Sequence, residues 1–381
     1  MKPRIAIVSD PLVQRGGAER LVEALAEAFP EAPIYALLYS AETGPAKLEP
    51  RIHASWLNSV PAAKSKHRMF LPLYRSAIES LDVSAFDIII SSHHTVGKAV
   101  LTRADQLHIC YCHTPMRAMW ERPIEELATL KQPARAIAAR VLSHMRVWDV
   151  ITANRAQKFI ANSAATQRRI ANYYRRESEI VFPPIDTDLF TLGKGAEKAG
   201  DYYLIASRPV PYKRVDIAIA ATGLLGRKLK IVGGKHALLN PPAHVELLGH
   251  VSDIELRDLM RGARALLLPQ LEDFGMAPLE ANACGRPVVA YGAGGALDSV
   301  IDGVTGVFSE KQEVDSFAAA IRRLESTHFN SNALRMHAMR FSKERFIANM
   351  QSVVADAWKA HDKGRRPQLA PVLSLVETAT S

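Results

Sequence analysis

Cysteine is scarce in this 381-residue chain: there are three, two of them in Cys110-Tyr111-Cys112. That is too few and too close for a disulfide framework or a zinc cage, so a reducing compartment is expected. Met1 to Asp10 holds one short apolar run ending in a polar turn, unlike a signal peptide, and a cytoplasmic protein is expected. No run reaches the ~20 apolar residues that cross a bilayer, which leaves peripheral contact as the form of membrane association to expect. Aromatics make up only 7%, and they are not interleaved with the basic residues as a nucleic-acid surface would need; nucleic acid is not an expected partner. Two motifs are also missing. The first strand is not followed by the GxGxxG dinucleotide fingerprint, which weakens the case for an NAD enzyme. No DxD-like acidic motif stands in a suitable loop, Asp273 beside Glu272 being the one tempting pair, so neither a metal nor another cofactor is expected.

The chain is otherwise of ordinary globular composition, 48% hydrophobic and 23% charged, and its length suits two cores better than one. The net charge of +9 is local: residues 51 to 176 hold 19 Lys and Arg against 8 Asp and Glu. Such an excess suits an anionic partner. Short apolar runs, each followed by a turn and a helical pattern, indicate parallel α/β units. In the first half they are Arg4 to Val8, Ile88 to Ile90, His108 to Tyr111 and Phe159 to Ala161. In the second they are Tyr202 to Ala206, Leu229 to Val232, Val245 to Leu248, Ala265 to Leu268 and Val288 to Ala290. A Gly/Lys-rich stretch from Leu192 to Gly200 separates the halves. The expected organisation is therefore α/β, with one doubly wound domain over residues 1–195 and a second over 196–341. A helix over 342–363 reaches back to the first domain, and 364–381 is a frayed tail. Ligand sites of such sheets lie at the carboxyl ends of the strands.

Those ends carry the unusual residues. Gly16-Gly17-Ala18-Glu19-Arg20 opens a helix after the first strand; such a pair either admits a ligand to a helix N-terminus or serves tight packing. Tyr111-Cys112-His113-Thr114-Pro115 puts a histidine at a strand end, where it serves either structure or the cleft. Cys112 reads as a small buried residue. Ser207-Arg208, followed at a short distance by Lys213-Arg214, sets cations where a diphosphate would be gripped. The most specific segment runs from Leu268 to Ala281, with Glu272 and Asp273 in an acidic loop, Gly275 at a turn, Pro278 in a first helical turn and Glu280 on the helix. Amides of Phe274 to Ala277 would be open to ligand oxygens, and the two glutamates to hydroxyl protons.

With Phe159-Ile-Ala-Asn-Ser163 added, this set resembles, in content and order and over nearly the whole chain, the retaining GT-B nucleotide-sugar glycosyltransferases of family 4. The resemblance implies two Rossmann-like domains, the first for acceptor and the second for donor, facing a central cleft. It implies that Glu280 holds the ribose, that Glu272 and the amides of Phe274, Gly275 and Met276 hold the sugar's hydroxyls, and that Arg208 and Lys213 hold the departing diphosphate. Gly16 and Gly17 would approach that diphosphate, His113 would face the sugar, and Ser163 would line the cleft; Asp273 and Ala277 complete the expected donor contacts. Cys112 to Arg117 with Trp148-Asp149 look closest to bacterial mannosyltransferases of O-antigen and exopolysaccharide synthesis, which implies GDP-mannose as donor and a lipid-linked saccharide acceptor. A UDP-sugar donor is the alternative within the fold, since Gly233-Gly234-Lys235 stands where many relatives carry an acidic Gly-Asp-Gly turn. Lys64 to Arg75 mixes cations with apolar residues and reads either as a peripheral anchor at the inner face of the cytoplasmic membrane or as a loop packed on its own domain.

Overall fold

The computed structural model describes residues 2–14, 16–193, 198, 200–207, 210–234 and 240–365. Two wholly parallel sheets are present. The first contains β1 (Ile5–Ser9), β2 (Ile34–Ala36), β3 (Ile52–Ala54), β4 (Ile88–His93), β5 (Leu107–Cys112), β6 (Lys158–Ala161) and β7 (Ser178–Ile180), in the order β3-β2-β1-β4-β5-β6-β7. The second contains β8 (Tyr202–Ala206), β9 (Lys228–Val232), β10 (Val245–Gly249), β11 (Ala265–Leu268), β12 (Val288–Tyr291) and β13 (Gly306–Ser309), in the order β10-β9-β8-β11-β12-β13. Both are doubly wound, with the strand order reversing between β1 and β4 and between β8 and β11, so each sheet opens a crevice at one defined place.

Helices cover both faces, so the central strands β1, β4 and β5 are buried over almost their whole length. On the first sheet Ile7 packs into one core with Leu21, Leu25 and Phe346, while Ala6 and Val8 pack into another with Tyr74, Leu142 and Trp148. The final helix, Lys343–Arg365, follows the second sheet yet buries Phe346, Met350, Val353 and Val354 in the first core. At about 1.5–3 kcal/mol for each large apolar side chain removed from water, that contact ties the end of the chain to its beginning. The crossing itself is aromatic. Phe182, Phe274 and Phe341 meet at centroid distances of 5.2 to 5.9 Å, and the Ile185 amide donates to the Phe341 carbonyl at 2.8 Å.

The short strands β2, β3 and β7 and the outer β13 were not expected. Three have three residues, and β3 and β7 are edge strands whose side chains are exposed or half-buried, so no apolar run marks them. β4 extends past Ile90 through Ser91, Ser92 and His93, all fully or almost fully buried. Polar residues can continue a central strand here because they find partners: Ser91 Oγ lies 2.8 Å from His108 Nε2. The expected division at 195/196 lies outside the described residues, as does the tail from residue 366 on.

Candidate active site

At the first switch point β1 runs into Asp10, whose carboxylate accepts four backbone N–H groups, from His94, Thr95, Val96 and Gly97, at 2.6 to 3.0 Å. This pins the turn after β4 beneath the cleft. Beside it, the His113 amide donates to the His93 carbonyl at 2.8 Å. The His113 ring has Nε2 at 2.9 Å from Ser92 Oγ and its edge toward His94, centroids 6.1 Å apart. Burial, with a smaller push from His94, lowers its pKa to about 3, so the ring is uncharged at neutral pH. Gly17 starts the helix Gly17–Ala28 and approaches the second domain, where a Cβ on it would lie 3.0 Å from Met276 Sδ.

At the second switch point β11 ends and the chain turns through Gln270, Glu272 and Asp273 into the helix Met276–Ala283. Gly275 takes φ +86°, a left-handed conformation that a side chain would strain, and no side chain caps the first-turn amides of Met276 and Ala277. The loop is braced from behind: the Gly295 amide donates to the Glu272 carbonyl at 2.9 Å. A Cβ at Gly295 would stand 2.2 Å from Phe274 Cα. The Phe274 ring is buried among the aromatics at the crossing.

Lys213 ends the turn Pro211–Lys213 and reaches Glu272, Nζ to Oε1 2.5 Å, with the Gln270 amide on the same oxygen at 2.7 Å. Burial raises the Glu272 pKa, but Lys213 and Gln270 outweigh it, and the carboxyl titrates below its ordinary range. Glu280 is bound by Arg20 of the first domain at 2.5 Å, and the same guanidinium holds Asp253 at 2.7 Å. Burial, only partly opposed by Arg20, raises the Glu280 pKa. Asp273 lies between two first-domain cations, 2.6 Å from Arg169 and 3.3 Å from Arg117, and Ser163 Oγ donates to its carbonyl at 2.5 Å. Burial likewise raises the pKa of Asp273 against those arginines. Arg208 lies outside the described residues.

Gly17, Arg20, Ser163, Arg117 and Arg169 of the first domain thus meet Met276, Glu280 and Asp273 of the second, with charge-assisted bonds between the domains, while His113 stands just past the end of β5 and Glu272, paired with Lys213, just past the end of β11. Among the described residues no group of three or more His, Cys, Asp or Glu is placed to hold a metal ion. Two family models match the chain: Glycosyltransferase Family 4 over residues 15–189 and Glycosyl transferases group 1 over 193–341. The chain belongs to the family 4 glycosyltransferases. It is 28% identical over 310 residues to a D-inositol 3-phosphate glycosyltransferase of Geodermatophilus obscurus, a match covering 70% of this chain and 65% of that relative's length. In fold it is similar to Anabaena HepE solved with UDP, with a TM-score of 0.67, 19% identity, and coverage of 93% of this chain and 100% of that one. It is also similar to sucrose-phosphate synthase of Thermosynechococcus elongatus, with a TM-score of 0.70, 16% identity, and coverage of 94% and 100%.

Several residues that join the two domains at this cleft were not singled out by the sequence. Arg20 and Arg117 stand inside motifs singled out for other members, Gly16 to Arg20 and Cys112 to Arg117, but their partners are 260 and 156 residues away. Arg169 has no local signal at all. It bonds Glu121 at 2.5 Å as well as Asp273. Arg122 lies 4.1 Å over the Tyr212 ring of the second domain. His94 is a half-buried neighbour of His113, its Nδ1 3.3 Å from Asp10 Oδ2, and nothing but its place after a central strand distinguishes it in the sequence.

Proposed function

We propose that the protein transfers a hexose, with retention of configuration and without a metal, from a nucleotide sugar to a lipid-linked or oligosaccharide acceptor. The observation that carries this is the opposition of the two switch points, with Glu272, Lys213 and Glu280 at one and His113 and Gly17 at the other. The transferring step breaks the bond from the sugar's anomeric carbon to the diphosphate, and negative charge grows on the departing oxygen. Lys213 and the first-turn amides of Met276 and Ala277 supply fixed positive charge there, which stabilises the transition state more than the ground state, and the sequence offers Arg208 as a second cation for the same diphosphate. Glu272 accepts the sugar's hydroxyls and Glu280 the ribose's. Each already carries a cation partner, so a ligand hydroxyl joins a paired carboxylate rather than a bare buried charge. His113, uncharged, supplies a hydrogen bond to the sugar without competing for the diphosphate.

Mannose from GDP-mannose is the donor that the Cys112 to Arg117 segment supports, for surface polysaccharide synthesis in a bacterium. A UDP-sugar is the second reading, favoured by the UDP complex of HepE. A thermal-shift panel of GDP, UDP, ADP and their sugars decides between them. Ligand at 100 times its dissociation constant stabilises by about 2.7 kcal/mol. A shift with GDP and GDP-mannose alone supports the first reading, a shift with UDP compounds the second, and no shift with any nucleotide contradicts both.

A further inference from the structure

The stretch from Lys64 to Arg75 divides in the structure. Phe70 and Leu71 pack against the first domain's core, as a loop serving its own domain would, while Met69 stays 75% exposed. Of the helix beside it, Ala134–Thr152, which lies between β5 and β6, the sequence singled out Trp148-Asp149 alone. Its inner face buries Leu142, Met145, Trp148 and Asp149. On its outer face Ile137 and Val147 are each 63% exposed and Ile151 59%. At 100° per residue, Ile137, Arg140, His144, Val147 and Ile151 fall within one stripe about 80° wide, its centre about 120° round the helix from that of the buried face. The two elements adjoin: Tyr74, Ala77 and Ile78 share a core with Leu142, Met145 and Trp148, and the Arg75 guanidinium stands 5.3 Å over the Trp148 ring.

Residues 61–78 and 127–148 contain no Asp or Glu, but four Lys or Arg each. Of these, all but Arg146 are exposed: Lys64, Lys66, Arg68, Arg75, Lys131, Arg135 and Arg140. Topology sets the region beside the cleft, because residues 55–73 follow the carboxyl end of β3 and the Ala134 end of the helix follows the loop from β5. We infer that this face docks on an anionic lipid surface, the helix lying along the bilayer with Ile137, Val147 and Ile151 in the headgroup layer and the cations on the lipid phosphates. The charge selects this occupant. A second copy docked face to face would set Arg140 and His144 against their own kind, whereas nucleic acid would leave the three aliphatic side chains uncovered. The inference does not depend on which sugar is transferred, and it adds to the reading above a place where a lipid-linked acceptor meets the cleft.

Flotation of the full chain with vesicles of phosphatidylcholine containing 30% phosphatidylglycerol, against phosphatidylcholine alone, tests it. Binding to the anionic vesicles at low salt, lost at high salt, is expected. Lys64→Glu/Lys66→Glu/Arg68→Glu should weaken it by about 100-fold or more, from the contribution of each cation near an anionic leaflet. Ile137→Glu/Val147→Glu should weaken it too, while Leu224→Glu, at an exposed leucine of the second domain, should not. Circular dichroism confirms folding, and the nucleotide thermal shift should be unchanged in all three variants, which keeps a failure here distinct from a failure of the donor reading. Wild-type protein that stays unbound on anionic vesicles, binding that ignores both surface variants, preferential capture by duplex DNA, or a solution dimer dissociated by Ile137→Glu would each overturn the proposal.

Discussion

Removal of Lys98 should cost the first domain more than its single ion pair suggests. Its ammonium and the Asp149 carboxylate, 2.5 Å apart, have side chains 0% and 1% exposed. Asp149 also accepts from Trp120 Nε1 at 2.9 Å and from the Tyr174 hydroxyl at 3.0 Å, and Lys98 donates to Thr152 Oγ1 at 3.1 Å. Lys98→Met leaves a buried carboxylate with two neutral donors and no cation. The expected loss is about 3–5 kcal/mol, the range for breaking a buried pair by removing one partner. Lys98→Met/Asp149→Leu removes both charges, so it should be less destabilised than the two single losses added together, by at least about 1 kcal/mol. The four tryptophans, Trp56, Trp120, Trp148 and Trp358, all lie in the first domain or on the helix packed against it, so tryptophan-detected urea unfolding reads this region directly. The network has a functional side, because Trp120 sits between Arg117 and Arg122, which reach Asp273 and Tyr212 of the second domain. The single variant should therefore also lower turnover. Additive losses, with coupling under about 0.5 kcal/mol, would refute the claim that the two charges sustain one another.

Glu280→Ala should mainly weaken donor binding, whereas Lys213→Ala should lower turnover at saturating donor, since its partner charge grows only as the diphosphate leaves; a Lys213→Ala enzyme with full turnover would refute that role. His93 and His108 are fully buried and burial lowers both, His108 to about 4. Between that value and the unfolded 6.5 the unfolded chain binds more protons, so stability falls with pH by about 1.4 kcal/mol per unit for each ring, and about 3 kcal/mol for the two should be lost from pH 7.5 to 5.5. Urea midpoints equal at the two pH values would contradict their neutrality. Transfer should survive EDTA, with cations and amides meeting the diphosphate; loss in EDTA restored by magnesium or manganese would count against the metal-free step.

The central strands were legible because burial on both faces requires unbroken apolar runs: Tyr202 to Ala206 and Ala265 to Leu268 are strands over those same residues. Edge strands such as β7, Ser178-Glu179-Ile180, carry no such constraint and left no mark. In the cleft, the loop and helix start that carry Glu272, Gly275 and Glu280 could be read from local pattern. Residues that join the two domains could not. Arg20, Arg117 and Arg169 acquire their meaning from Glu280 and Asp273, more than a hundred residues away, and a single arginine in a helix is otherwise an ordinary surface residue. The basic excess over 51 to 176 was visible as a sum, but its division was not: Arg117 and Arg169 are half-buried or buried in the cleft, while Arg135 and Arg140 face outward.

The most direct test of the account is to follow the donor's fate by NMR, with the purified protein, whichever nucleotide sugar the thermal-shift panel selects, and a saccharide acceptor. The account predicts release of the nucleoside diphosphate with the transferred sugar keeping its anomeric configuration. A product of inverted configuration, or a folded protein that neither transfers nor hydrolyses any nucleotide sugar it binds, would contradict it.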